Sequence, residues 1–244
     1  MRNIKLTIEY DGTNYNGWQK QKNGITIQEE IEKAIKKITH EEVEVIGSSR
    51  TDSGVHARGM VCNFKTNSKI PTARFREAIN TKLPDDIAIL LSEEVDESFH
   101  ARYNSKGKRY SYTIINRLEK VAIERNFSYH VKDNLNVDKM KKACEYFIGT
   151  HDFSAFKSTG SSVKTSIRTI YDIHIEVNNE KIKLIVHGNG FLYNMVRIIV
   201  GTLVEVGRGK ISCRQVQEAI ESGDRKATGP CAPANGLVLE EVYY

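Results

Sequence analysis

The stretch Ser48-Ser49-Arg50-Thr51-Asp52-Ser53-Gly54-Val55-His56-Ala57-Arg58-Gly59 concentrates reactive side chains in a short span. At its centre stands one carboxylate, Asp52, with Arg50 before it and His56 and Arg58 after it. Cations nearby favour the charged form of an acid, so Asp52 is expected to be ionised at neutral pH. An ionised carboxylate can act as a nucleophile, a base or an anchor for a cation. The same letters also suit a plain turn, in which an Asp oxygen bonds the backbone two residues on. Spacing alone leaves both readings open.

The elements that must hold this stretch are legible around it. Val43, Val45, Ile46 and Gly47 before it, and Met60, Val61, Cys62 and Phe64 after it, read as two strands joined by a small polar loop. Residues 4–10 alternate with period two and read as a strand. A loop over 11–24 follows and carries the only tryptophan, Trp18. Thr26 with Glu29 has the capping-box form, and Ile27, Ile31, Ala34, Ile35 and Ile38 mark one helical face behind it. Residues 71–83 read as a second helix with Phe75, Ala78, Ile79 and Leu83 inward. Pro84-Asp85-Asp86 ends it, and 87–91 is a short strand. The resulting order, β-α-β-β-α-β, is ferredoxin-like.

A similar order follows in the second half. Residues 108–115 form a strand with Tyr110, Tyr112 and Ile114 on one face. Asn136 can cap a helix that uses Val137, Met140, Ala143, Cys144, Phe147 and Ile148, with Gly149 just past its end. Residues 166–177 and 181–187 form a hairpin across Asn178-Asn179-Glu180. Residues 191–206 are apolar on most sides and read as a buried helix. Ser212 with Gln215 opens another helix with a capping box, closing at Gly223. Leu237, Val238, Leu239 and Val242 mark the last strand. The expected class is α+β, with two ferredoxin-like subdomains over 1–104 and 105–244. Joined edge to edge, they would make one extended, mainly antiparallel sheet with helices on one face and the other face open to a flat ligand.

Composition narrows the class of protein. With 244 residues, 39% hydrophobic and 27% charged, the chain can bury a large core and is not disordered in composition. Its longest apolar stretch, 195–206, is interrupted by Arg197, Gly201, Thr202 and Glu205, so no membrane span is expected. Met1-Arg2-Asn3 leads straight into a strand, and no signal peptide is expected. The four cysteines, Cys62, Cys144, Cys213 and Cys231, have no paired spacing and suit free thiols in a reducing cytoplasm. The net charge of +5 is modest, so its placement matters more. Arg102, Lys106, Lys108, Arg109, Arg117, Lys120 and Arg125 outnumber Glu119 and Glu124 over 102–125. Lys157, Lys164 and Arg168 fall in an acid-free run between Asp152 and Asp172. Basic clusters interleaved with Tyr103, Tyr110, Tyr112, Phe153 and Phe156 suit a nucleic-acid partner.

Several signals lead nowhere. Gly188-Asn189-Gly190 begins like a dinucleotide fingerprint, but its third glycine position is Tyr193 and the strands around it are not parallel. His40-Glu41-Glu42 and Pro230-Cys231 are fragments of a zinc deaminase pattern whose second cysteine position is Ala234. No P-loop occurs, and the seven histidines are isolated, so no metal or nucleotide cofactor is expected. A basic, aromatic surface carrying one aspartate suggests chemistry on a base displaced from an RNA stack.

The run Arg50-Thr51-Asp52-Ser53-Gly54-Val55-His56-Ala57 resembles the signature of the tRNA pseudouridine synthase A family, with Ser49 and Ser53 where glycine and alanine are common. The resemblance extends through Glu9-Tyr10-Asp11-Gly12, Gly17-Trp18-Gln19, Lys108-Arg109-Tyr110, His151-Asp152-Phe153, Asn194-Met195-Val196-Arg197, Gly201-Thr202-Leu203 and Gly236-Leu237, in chain order. It implies the ferredoxin-like architecture, and isomerisation of uridine to pseudouridine at positions 38, 39 and 40 of the anticodon stem-loop of tRNA. Asp52 would be the catalytic carboxylate, attacking covalently or removing a proton from the sugar. Arg50 would fill the space of the flipped nucleotide or bind its phosphate, and Tyr110 would stack on the uracil. Leu237 would wall the uracil pocket, and Arg197 would partner the carboxylate. A homodimer that binds one tRNA across both subunits is implied as well. Two other readings remain: the same chemistry on ribosomal RNA, and a non-catalytic RNA-binding module. The second leaves Asp52 without a purpose, because an acid in an RNA groove weakens phosphate binding.

Overall fold

The computed structural model describes residues 1–160 and 165–244; Lys164 of the second basic run lies outside them. In chain order the elements are β1 (Arg2–Tyr10), α1 (Ile27–Thr39), β2 (Ile46–Gly47), β3 (His56–Thr66), α2 (Thr72–Asn80) and β4 (Ile87–Val95). They continue with β5 (Gly107–Asn116), β6 (Tyr129–Val131), α3 (Val137–Cys144), β7 (Gly149–Asp152), β8 (Ile167–Asn178) and β9 (Lys181–Gly188). Last come α4 (Met195–Gly207), α5 (Cys213–Ser222) and β10 (Leu237–Tyr243). The class is α+β with mainly antiparallel pairing, as expected. Two compact units arise, one from Met1–Lys106 with Val238–Tyr244 and one from Gly107–Leu237.

In the first unit the strands run β4-β1-β3, with β2 on the far side of β3, which is the ferredoxin-like order. Ile4, Leu6, Ile8 and Tyr10 alternate inward from β1, and Ile27, Ile31, Ala34 and Ile35 of α1 are buried with them. Thr26 caps α1 by accepting the Glu29 N–H at 3.4 Å, while the Glu29 carboxylate turns to Lys33 Nζ at 3.1 Å. Acids in the first turn and lysines in the last suit the helix dipole. β4 outruns the expected 87–91 and continues through Ser92-Glu93-Glu94. Cross-strand ion pairs to β1 hold that polar half: Lys5 to Glu93 at 2.8 Å and Arg2 to Glu94 at 2.9 Å. β2 keeps only two residues of its expected strand. β10 pairs in parallel with the start of β3, Val238 opposite His56 and Leu239 opposite Ala57.

In the second unit the order is β5-β9-β8-β7, with β6 alongside β5. β9 alternates without a break, Ile182, Leu184, Val186 and Gly188 inward. The hairpin between β8 and β9 turns through Asn179, whose φ is 52°. The helix expected over 191–206 starts later, because Asn194 takes a left-handed φ of 60° that no helix interior tolerates. Eleven of the thirteen residues of α4 are buried, as its all-round apolar character requires. Ser212 and Gln215 form the complete capping box of α5, and Gly223 closes it at φ 69°.

Candidate active site

The Asp52 loop joins β2 to β3 in the first unit, and its backbone is fixed on both sides of the acid. Val55 N–H donates to the Asp52 carbonyl at 3.1 Å, closing a four-residue turn. Gly54 in that turn has a φ of 76°, as the third position of a type II turn demands. Before the acid, the Thr51 side chain pairs with the Tyr10 hydroxyl at 2.7 Å and its carbonyl accepts the Trp18 N–H at 3.1 Å. After the acid, the Tyr15 carbonyl accepts the Ser53 hydroxyl at 3.1 Å and the Gly54 N–H at 3.3 Å. The segment from Tyr10 to Trp18 therefore lies along the whole loop. Its own far end is tied to α1, where Gln28 N–H donates to the Trp18 carbonyl at 3.0 Å.

Trp18 is 2% exposed and packs against Gly47, where any β-carbon would collide with the indole. The turn reading of Asp52 is thus correct for its backbone, and the turn leaves the carboxylate half-buried on a rigid support. His56 is buried, and its Nδ1 accepts the Gly12 N–H at 3.0 Å. The Asp11 Oδ1 lies 3.1 Å from the same nitrogen. Arg58 points along the sheet to Glu240 of β10, 3.3 Å away. Arg50 is exposed.

Tyr110, Arg197 and Leu237 belong to the second unit. Tyr110 is 6% exposed in β5, its ring edge-on to Phe191 with centroids 5.3 Å apart. Tyr112, two residues on, is fully buried and donates its hydroxyl to the Pro233 carbonyl at 2.7 Å. Burial pushes its phenol far above the ordinary range, so it acts there as a neutral donor. Arg197 leaves the apolar α4 at a half-buried position. Its Nε donates to the Ala232 carbonyl at 2.7 Å and its Nη1 to Asn194 Oδ1 at 2.8 Å.

The helix meets that same 229–232 segment at Gly201, where a side chain would run into the Pro230 carbonyl, and at Thr202, which accepts the Gly229 N–H at 2.9 Å. Leu237 lies five residues further on and is 5% exposed. Sequence reasoning did not single out Asn194 as the residue that orients Arg197. The signal was present in their spacing, since residues three apart on a helix meet. Nor did it find Tyr15, whose carbonyl holds the catalytic-loop candidate and therefore leaves no trace in residue type.

A family model described as tRNA pseudouridine synthase matches residues 6–104 and 143–244. Those segments contain Arg50, Asp52, Arg197 and Leu237; Tyr110 lies between them. The chain is 63% identical to tRNA pseudouridine synthase A 2 of Clostridium perfringens, over the full length of both. It is 61% identical to tRNA pseudouridine synthase A of Clostridium botulinum and 58% identical to that of Clostridium acetobutylicum, again over all of each chain. These likenesses define an isomerase that makes pseudouridine in RNA. The chain belongs to the tRNA pseudouridine synthase family.

Proposed function

We propose that this enzyme isomerises uridine to pseudouridine in the anticodon stem-loop of tRNA, at positions 38, 39 and 40, with Asp52 as the catalytic carboxylate. The reaction breaks the bond from uracil N1 to C1′ of the ribose and forms one from C5 to C1′. C5 gives up its proton and N1 gains one, so atoms and electrons balance within the nucleotide. What the protein must supply is a carboxylate of fixed position near the sugar and a pocket that retains the detached base. The observation that carries the assignment is the clamping of the Asp52 loop from both sides by 10–18, which holds one acid still at a half-buried position. Asp52 attacks the sugar covalently or removes a proton from it.

Arg50, exposed beside the acid, takes the nucleotide's vacated space or its phosphate. Tyr110 is assigned as the ring under the displaced uracil, Leu237 as an apolar wall for it and Arg197 as an anion partner. The subdomain over 1–104 carries the acid, and 105–244 the other three. The enzyme works as a homodimer in the cytoplasm. No helix among the described residues is long and apolar enough to cross a membrane, which is compatible with that location.

The test is Asp52→Asn in the full-length protein. It should make no pseudouridine in a tRNA transcript while melting and binding tRNA like the wild type. More than a trace of product would remove Asp52 from the mechanism. Mapping pseudouridines in total RNA with and without the protein decides between tRNA and ribosomal RNA. Sedimentation of the RNA-free protein should show a dimer; a stable, fully active monomer would contradict that part.

A further inference from the structure

The loop between β4 and β5 carries Tyr103 with 76% of its surface exposed. An isolated exposed tyrosine needs no explanation. This one is immobilised. Its ring stacks on His100, with centroids 4.2 Å apart and planes 31° apart. The His100 ring is itself fixed, because Nδ1 accepts the backbone N–H of Arg102 at 3.2 Å and of Tyr103 at 3.3 Å. The Arg102 guanidinium carbon lies 6.0 Å from the Tyr103 centroid, at the outer limit of a cation–π contact.

The loop under these side chains is held by polar groups, some of them buried. His100 N–H donates to Asn104 Oδ1 at 2.7 Å, and Asn104 N–H returns to the His100 carbonyl at 3.0 Å. Ala101, wholly buried, donates its N–H to Asn63 Oδ1 at 2.8 Å, and its carbonyl accepts the Tyr244 hydroxyl at 2.7 Å. Asn3 and Asn63 are each 1% exposed, and Asn3 spends its amide on the carbonyls of Asp96 and Phe99, both at 2.9 Å. Placing two amides in a core is costly unless they are satisfied. Here they are satisfied by giving a surface loop one shape.

The acids leading into the loop are occupied, Asp96 by Ser98 at 2.6 Å and Glu97 by Lys65 at 3.7 Å. Arg102 and Lys106 are exposed on the same loop. A rigid, exposed aromatic face beside two cations is the arrangement on which unpaired RNA bases stack. A protein partner would favour an apolar patch, and the loop offers polar and basic side chains around a single ring.

We infer that Tyr103, backed by His100, is a stacking platform for an unpaired base of the RNA substrate, separate from the Asp52 loop. This rests on the reading of the protein as a tRNA-modifying enzyme. Because the platform is preorganised, a base that docks there gains stacking without first ordering the loop.

The experiment compares wild type, Tyr103→Ala and Tyr103→Trp on one unmodified tRNA transcript, measuring Kd across a salt series together with kcat and KM. Tyr103→Ala should bind about 5- to 150-fold more weakly, the range expected for one lost base–aromatic stack. The loss should fall on KM more than on kcat, Tyr103→Trp should restore most of the affinity, and the slope of log Kd against log salt should not change. A Tyr103→Ala variant that binds like wild type overturns the inference. So does a Trp variant as weak as Ala, a changed salt slope, or a shift in sedimentation without RNA, which would place the ring at a protein interface. If the wild type itself neither binds nor modifies the transcript, the functional reading fails and takes this inference with it. Wild-type activity with a silent Tyr103→Ala sinks the platform alone.

Discussion

Gly47 and Trp18 touch so closely that a single methyl group at position 47 would enter the indole ring. The contact matters because the Trp18 N–H holds the Thr51 carbonyl, one residue from Asp52. Gly47→Ala should therefore displace Trp18 and loosen the loop together. Overpacking of this kind costs about 1–3 kcal/mol. Trp18 is the chain's only tryptophan, so its emission reports the movement directly. The expected result is a red-shifted emission, a lower denaturant midpoint and slower turnover. Unchanged emission and stability would mean that the indole has room which the structure does not give it.

Tyr110 and Phe191 meet edge to face, an arrangement that needs the ring of Tyr110 and not its hydroxyl. Tyr110→Phe should keep this pair, melt near the wild-type temperature and bind tRNA normally. If the hydroxyl carries a proton during the reaction, turnover should fall by roughly two to four powers of ten. Tyr110→Leu removes the ring as well, and should cost a further 1–3 kcal/mol, approximately, in binding the displaced base. A Phe variant at the wild-type rate would restrict Tyr110 to packing and stacking.

Tyr15 gives the enzyme an alkaline limit. Burial, and then the Asp86 carboxylate that its hydroxyl bonds, hold its phenol well above the ordinary value of 10.0. A raised pKa stabilises the fold fully below the unfolded value. That contribution is lost as the pH climbs past it, because the unfolded chain releases the proton first. The Tyr15 carbonyl also holds Ser53 and Gly54, so activity should fade along with stability. Urea midpoints should drop from about pH 10 upward, and Tyr15→Phe should flatten part of that fall. An identical alkaline slope in the Phe variant would reject Tyr15 as the titrating group.

Elements with strong local patterns are legible in the sequence: the capping box at Ser212, the inward face of α1, the alternation of β1. Where reading by pattern stopped short, a distant partner decided the outcome. The second half of β4 is too polar to look like a strand, and it becomes one because Lys5 and Arg2 stand opposite its glutamates. Residues 191–193 continue the apolar and aromatic run of the helix that follows, yet Asn194 adopts a left-handed backbone that starts α4 late. Around Asp52, residue types single out the loop but not its supports. Arg58 stands six residues after the acid, and strand pairing with β10 brings it to Glu240. The Tyr15 support acts through a carbonyl that every residue possesses.

The parallel pairing of Val238 and Leu239 with His56 and Ala57 also sets a schedule. A growing polypeptide emerges from its N-terminus at roughly 5–20 residues per second, and early segments begin to fold while later ones are still being made. The strand that leaves the Asp52 loop appears before β4, and one of its neighbours only after β9. Until β10 has been made, the start of β3 presents an open edge. A ribosome that stalls before residue 238 would leave Asp52 beside an unfinished sheet. β10 thus acts as a latch that closes this edge of β3 only after the intervening strands and helices have been made.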